Sequence, residues 1–299
     1  MASTDLAIGI IILSLTGIGL LGNSAFLCHY ILSDITGSRV RPIDPILQNL
    51  TLANSMVLLL RGVTHTVKTL RLPFFFHDVI CKLFFYLHRV GRGVSLGSTC
   101  LLSIFQAIII SPSNSRWLEL KFRAPKFIGP CICLCWVLHM LGNAPIPMHM
   151  IAKHSRENLT GEQIFPHCTS TYPERVILTL NAIVFTSIDV MCLGPMIGAS
   201  GSMVLILFRH KQRVQHIHSP LSSRSSPETR AIQSVLTLVS IFVFFYAISA
   251  YLTIYVTALD RTDARLANAI AGMDACFPTL CPFVLISHYT AFSRLCPVC

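Results

Sequence analysis

The sequence predicts an all-α membrane protein, a seven-transmembrane helix bundle. Hydrophobic residues make up 53% of the 299-residue chain, charged residues make up only 12%, and the mean hydropathy is +0.65. A soluble domain usually carries about 25% charged residues. A chain so poor in charge cannot cover a water-exposed surface, which excludes a cytosolic enzyme, a nucleic-acid-binding domain and a disordered protein.

Seven apolar segments follow one another along the chain. A bilayer core about 30 Å thick is crossed by roughly 20 helical residues, and helices satisfy their own backbone hydrogen bonds in lipid. The second segment is the weakest, because its charge-free run is short. We predict one receptor domain over residues 1–299, with spans near 6–32, 43–62, 79–110, 127–149, 176–208, 231–257 and 265–287.

The basic residues predict the orientation. The net charge is +10, and Lys and Arg are retained on the cytoplasmic side of membrane proteins. Placing the N-terminus outside puts more basic residues in the cytoplasm, although it assigns Arg61 to the first outer loop. The first span then acts as a signal anchor, since no basic region precedes it. The sequence thus predicts a multi-pass plasma-membrane protein with an extracellular N-terminus.

Two further features agree with this orientation. Asn158-Leu159-Thr160 is a glycosylation sequon in the loop between the fourth and fifth spans, which lies outside. Cys81, at the start of the third span, and Cys168, in that same outer loop, both face an oxidising compartment. We expect them to form a disulfide; the alternative is two unrelated free thiols.

Several sequence runs resemble the vomeronasal type-1 receptor family of G-protein-coupled receptors. They include Thr99-Cys100-Leu101-Leu102-Ser103-Ile104-Phe105-Gln106-Ala107-Ile108, Ser111-Pro112-Ser113-Asn114-Ser115-Arg116-Trp117 and, in the seventh span, Phe277-Pro278-Thr279-Leu280-Cys281-Pro282-Phe283. The resemblance covers essentially the whole chain. It implies a pheromone receptor of vomeronasal neurons that signals through a Gi/o-type heterotrimeric G protein.

The chain departs from the wider rhodopsin-like pattern at several switch positions. Asn54 stands where most such receptors carry a sodium-binding Asp, and Phe105-Gln106-Ala107 lies where Asp-Arg-Tyr is usual. A bitter-taste-like chemosensory receptor, which also lacks these motifs, is therefore one alternative. A small membrane transporter is another, although neither repeat symmetry nor paired broken helices are evident.

Ionisable residues inside the predicted spans are the candidate ligand-binding groups. Each charged residue costs about 2.5–3.5 kcal/mol at the bilayer centre, so it should face the bundle interior. The tyrosines of the sixth span are included for their hydroxyls, with a lipid-facing or interfacial position as the alternative. Arg and His would offer donors to an oxygen or a sulfate-like group of a small organic ligand. Alternatively, Arg89 or Arg92 pairs with an Asp and locks the helices together. The candidates are His88, Arg89, Arg92, Asp189, Tyr246, Tyr251 and Asp274.

Basic segments on the cytoplasmic side are the candidate G-protein contact. They lie in the predicted second and third inner loops, and basic segments of this kind suit an acidic protein surface or anionic lipid headgroups. Simple topology determinants are the alternative. The contact residues are Arg116, Lys121, Arg123, Arg209, Lys211 and Arg213.

Catalysis and metal binding have no support in the sequence. No nucleophile with an ordered base, spaced carboxylate pair or phosphate-binding Gly-rich loop is present. Cys131, Cys133 and Cys135 point in different directions on a helix, and no His completes a zinc set. We expect no cofactor, no nucleic-acid partner and no enzymatic activity; the expected partners are a pheromone-like small molecule, a heterotrimeric G protein and the lipid bilayer.

Overall fold

The computed structural model describes residues 2–37, 42–69, 78–111, 115–145, 150–153, 167–170, 175–217, 227–259 and 264–293, apart from some side chains near element ends. Two short strands accompany the helices. The elements are α1 (Ala2–Ile35), α2 (Asp44–Thr69), α3 (Asp78–Ile110), α4 (Ser115–Asn143), β1 (Met150–Lys153), β2 (His167–Ser170), α5 (Arg175–Ile217), α6 (Pro227–Leu259) and α7 (Ala264–Ser293).

The predicted bundle is confirmed, because the described residues include seven helices that are long and apolar enough to cross a membrane. Their outward faces are apolar. Leu21 of α1 is 75% exposed and Met191 of α5 is 76% exposed. Surfaces of this kind are stable only where lipid surrounds them, so the chain is a multi-pass membrane protein.

Helix α3 forms the centre of the bundle and contacts α2, α4, α5 and α6. Its close approach to α4 depends on glycine. A methyl group on Gly93 would overlap the imidazole ring of His139, and one on Gly97 would overlap Sγ of Cys135. Small residues at such positions let transmembrane helices pack by van der Waals contact.

A side-chain hydrogen bond joins α1 to α7 at a break in the α7 backbone ladder. Pro282 has no N–H, so it leaves the carbonyl of Pro278 without its helical donor. Nδ2 of Asn23, which is fully buried, donates to that carbonyl at 2.9 Å. Gly22 lies beside the same turn, where a methyl group would approach Cγ of Pro282 to 2.8 Å.

A second buried network joins α2, α3 and α4. The indole N–H of Trp136 donates to Oδ1 of Asn49 at 2.8 Å, and Nδ2 of Asn49 is 2.8 Å from Oγ of Ser98. Each polar group thereby finds a partner in a region that lacks water.

Helix α4 begins well before its predicted span, since residues 116–126 are helical rather than a loop. Helix α5 likewise continues to Ile217. Charged residues end an apolar run without ending a helix, because Lys, Arg and Glu are good helix formers. In the α4 extension, Nζ of Lys121 donates to the carbonyl of Ser111 at 2.6 Å, just beyond the end of α3.

The two strands pair antiparallel, with Ala152 opposite Cys168, and β1 contacts α3. We call the end of the bundle that holds this strand pair and the beginning of α3 the strand end, and the other the opposite end.

Candidate ligand-binding site

The strand-end half of the bundle contains an ion pair between α3 and α7. Nη1 of Arg92 lies 3.0 Å from Oδ1 of Asp274, and the two side chains are 21% and 5% exposed. Oγ of Ser249, on α6, donates to the same carboxylate oxygen at 2.5 Å. The pair is therefore buried, hydrogen-bonded and shared by three helices.

Tyr246 connects this ion pair to α5. Its hydroxyl donates to Oδ2 of Asp189, and the guanidinium of Arg92 lies 4.8 Å from the centre of its ring. A cation over an aromatic face is stabilised by the ring quadrupole. Arg92 thus contacts a carboxylate on one side and an aromatic ring on another.

Arg61, which the sequence analysis placed in an outer loop, lies within α2 instead. Its charge acts on Asp274 together with that of Arg92, and it also acts on His88, which is only 7% exposed. Arg61 was counted with that loop because the charge-free run ends before it, although the predicted span 43–62 includes it; α2 continues through Arg61 to Thr69.

Within the part of this site that the structure describes, arginines outnumber carboxylates. Among the described side chains of this region, Arg61, Arg89 and Arg92 face two carboxylates, those of Asp189 and Asp274. Each buried ion has a desolvation cost that a matched countercharge offsets. The region as described is therefore suited to an additional anion or a strong hydrogen-bond acceptor.

Two cavities adjoin these charges. The α4 cavity lies between α3, α4 and α5 and is lined by Arg89, Arg92, Gly93, His139, Asn143, Ile188 and Asp189. The α6 cavity has more apolar walls and is lined by Val57, Arg92, Ser95, Phe242, Phe245, Tyr246, Met273, Asp274, Phe277 and Pro278. Arg92 belongs to both.

Most of the sequence-predicted ligand-binding residues come together here, but Tyr251 does not. It is 66% exposed and stacks on Tyr255, with ring centroids 6.3 Å apart. Tyr246 and Tyr251 are five positions apart, so nearly half a helical turn separates their directions. The inward direction of Tyr246 therefore places Tyr251 on the outside of the bundle.

Two polar residues of α4 lie at the site without having been predicted from the sequence. His139 and Asn143 are 3% and 4% exposed, and Nδ2 of Asn143 donates to the carbonyl of His139 at 2.7 Å. Their spacing of four residues on an apolar helix is the signal that indicates a shared polar face.

The described residues contain no cluster of three or more His, Cys, Asp or Glu side chains placed to hold a metal ion. Cys81 is fully buried and is disulfide-bonded. The side chain of Cys168 and the whole of Asn158 lie outside what the structure describes.

The candidate G-protein contacts lie at the opposite end, on helices rather than in loops. Arg123 is 68% exposed and pairs with Glu119 at 2.7 Å, and Arg209 is exposed. The ammonium group of Lys121 donates a hydrogen bond to the carbonyl of Ser111. The side chains of Arg116, Lys211 and Arg213 are outside the described part.

Comparison with known proteins accounts for this architecture. Residues 6–298 match the model of the vomeronasal organ pheromone receptor family. The chain is 46% identical to vomeronasal type-1 receptor 4 of Pongo pygmaeus over 99% of this chain and 98% of that protein. It is 44% identical to human vomeronasal type-1 receptor 2 over 94% and 72% of the two chains, and 28% identical to the zebrafish (Danio rerio) olfactory receptor class A-like protein 1 over 93% and 88%. The chain therefore belongs to the vomeronasal type-1 receptor family, a family of pheromone receptors.

Proposed function

We propose that this receptor binds a small organic chemosignal from the extracellular side and responds by activating a Gi/o-type G protein. The supporting observation is the group of arginines and carboxylates inside the bundle: Arg89, Arg92 and Asp189 line the α4 cavity, and Arg92 and Asp274 line the α6 cavity. A charged side chain inside a membrane bundle costs free energy. Binding an anionic ligand, or one that is a strong hydrogen-bond acceptor, is a function that these charged side chains can perform.

The ligand-contacting residues in this proposal are His88, Arg89, Arg92, Asp189, Tyr246 and Asp274. The apolar part of the ligand occupies the α6 cavity beside Phe242 and Phe277. Its polar group approaches the arginines. Because Arg92 already holds Asp274, a ligand anion competes with that carboxylate, and this competition supplies the differential affinity that shifts the helices between two arrangements.

The orientation in this proposal puts the strand end outside the cell, in the plasma membrane. Cys81 is disulfide-bonded, and Cys168 lies on β2 in the strand pair that contacts α3. Cys168 is the partner we propose for Cys81. A glycan on Asn158 belongs to the same side of the membrane.

The G-protein contact is then at the opposite end, formed by Arg116, Lys121, Arg123, Arg209, Lys211 and Arg213. Exposed Arg123 and Arg209 are available to an acidic partner surface. Lys121 acts mainly by positioning, since its ammonium group is bonded to the carbonyl of Ser111.

A calcium-reporter screen of urinary and glandular secretions tests the function. Cells that express the chain should respond to fractions of these secretions, and blockade of Gi/o should abolish the response. A response that survives blockade refutes the coupling. Surface-expressed protein that responds to no fraction refutes the proposed ligand source. An Asn158→Gln variant whose electrophoretic mobility is unchanged refutes the glycan.

A further inference from the structure

His139 and Asn143 give α4 a polar surface inside the bundle, and the proposed function has so far left it unused. His139 is a titratable side chain that is 3% exposed and lies in the wall of the α4 cavity. Asn143 lies one turn further along the same wall. Burying an imidazole and an amide costs free energy unless both groups form hydrogen bonds.

The packing of α3 is arranged around this imidazole. A methyl group on Gly93 would overlap Nδ1 of His139 and fall 2.6 Å from its Cγ. The ring therefore occupies the space that any larger residue at position 93 would fill. The absent side chain of α3 is what lets α4 present His139 to the cavity.

The opposite walls of the cavity carry charge. Arg89 and Arg92 line it from α3, and Asp189 lines it from α5. Asp189 accepts a hydrogen bond from the hydroxyl of Tyr246, and Arg92 forms an ion pair with Asp274. Arg92 also lines the α6 cavity, and Arg89 lines the α4 cavity together with His139 and Asn143.

We infer that the α4 cavity is the headgroup subsite of the receptor and that it takes a planar carboxylate. The fork of Arg89 and an imidazole N–H of His139 supply donors, and a guanidinium fork matches the two oxygens of a carboxylate. This inference rests on the proposed function, because it assigns the polar end of the same ligand. The apolar body extends past Arg92 into the α6 cavity.

A glycine pair on α3 provides a matched test. Gly93→Ala displaces His139, whereas Gly97→Ala creates a similarly close contact with Cys135 one turn away, outside the residues that line the cavity. The methyl group at position 97 reaches Nε2 of His139 only at 3.8 Å, which is an ordinary van der Waals contact. His139→Leu removes the donor, and His139→Gln keeps one. The probes are octanoic and dodecanoic acid, each compared with its methyl ester, in cells whose surface expression is measured alongside the calcium response.

The acids should activate the wild-type chain more potently than their esters. Gly93→Ala and His139→Leu should each lower that potency about tenfold or more, the effect of losing a hydrogen bond to a charged group. Gly97→Ala should retain the potency of the acids, and the potency of His139→Gln should lie between those of the wild-type chain and His139→Leu. Purified protein should also be stabilised against heating by the acids and not by the esters.

Equal potency of acid and ester overturns the carboxylate assignment. Equal losses in Gly93→Ala and Gly97→Ala, or full potency in His139→Leu, overturn the α4 subsite. If neither acid activates or stabilises the protein, the inference is also wrong. The proposed function fails separately, only when the secretion screen yields no Gi/o-dependent response.

Discussion

Neutralising Asp274 should destabilise the receptor more than neutralising both members of its ion pair. Asp274→Asn leaves Arg92 buried beside Arg61 with one carboxylate fewer in the region. Removing one partner of a buried pair costs about 3–5 kcal/mol. Arg92 is 21% exposed, so water replaces part of the lost interaction and brings the loss below that range. Its contact with the ring of Tyr246 is present before and after the change and does not alter the difference.

The expected net loss is therefore about 2 kcal/mol, or roughly thirtyfold in the folding equilibrium. Arg92→Gln/Asp274→Asn removes both charges and should recover part of it, with a coupling energy of about 1–3 kcal/mol. The assay is the apparent melting temperature of purified protein in detergent, with all variants heated at one rate.

A control ion pair is available at the opposite end. Arg123 and Glu119 are 68% and 65% exposed, so Glu119→Gln should change the stability by less than about 0.5 kcal/mol. If the double variant melts as low as the sum of the two single changes predicts, Arg92 and Asp274 are not coupled. The ion pair would then make no contribution of its own to the stability of the bundle.

Three further changes test other parts of the bundle by the same melting assay. Gly22→Ala should lower the melting temperature and Gly17→Ala should not, because a methyl group on Gly22 meets a proline ring carbon at 2.8 Å while one on Gly17 meets nothing within 4 Å. Asn49→Ala should cost about 1–3 kcal/mol, since it leaves a buried indole N–H without an acceptor; an unchanged melting temperature would contradict that bond. Tyr246→Phe should cost about 1.5–3 kcal/mol by removing a donor from a carboxylate, whereas exposed Tyr251→Phe should stay within about 0.5 kcal/mol; equal effects would refute the inward placement of Tyr246.

The number and type of the membrane-spanning elements were predictable from the sequence, but their ends were not. Hydropathy records where water is excluded, and that boundary is the membrane surface rather than the end of a helix. Residues 116–126 are helical although they are charged, and α2 continues through Arg61. The misplacement of Arg61 followed directly from equating the end of an apolar run with the beginning of a loop.

The candidate site was predictable in part. A charge inside a lipid-facing segment must look inward, and this rule correctly brings Arg89, Arg92, Asp189 and Asp274 to one region. The same rule does not apply to tyrosine, whose hydroxyl is tolerated on an outer face. A lipid-facing or interfacial position was therefore the alternative for the tyrosines of the sixth span, and Tyr251, 66% exposed, lies on the outside. Nor does it specify which arginine pairs with which carboxylate, because that depends on the rotation of each helix.

The arrangement of Arg92 bears on whether the ion pair and ligand binding are alternatives. Its guanidinium holds Asp274 at 3.0 Å, lies over the ring of Tyr246, and lines both cavities. A purely structural pair would be most stable with no space around it, since cavities forfeit packing contacts. Here the pair borders two cavities and a further cation, so an entering acceptor reaches Arg92 without first unfolding any helix. Each oxygen that the ligand supplies weakens the hold on Asp274, and Asp274 is bonded to both α3 and α6. In the proposed function, occupancy of the cavities is thereby coupled to the position of α7 relative to its neighbours, which is what a ligand-driven shift between two helix arrangements requires.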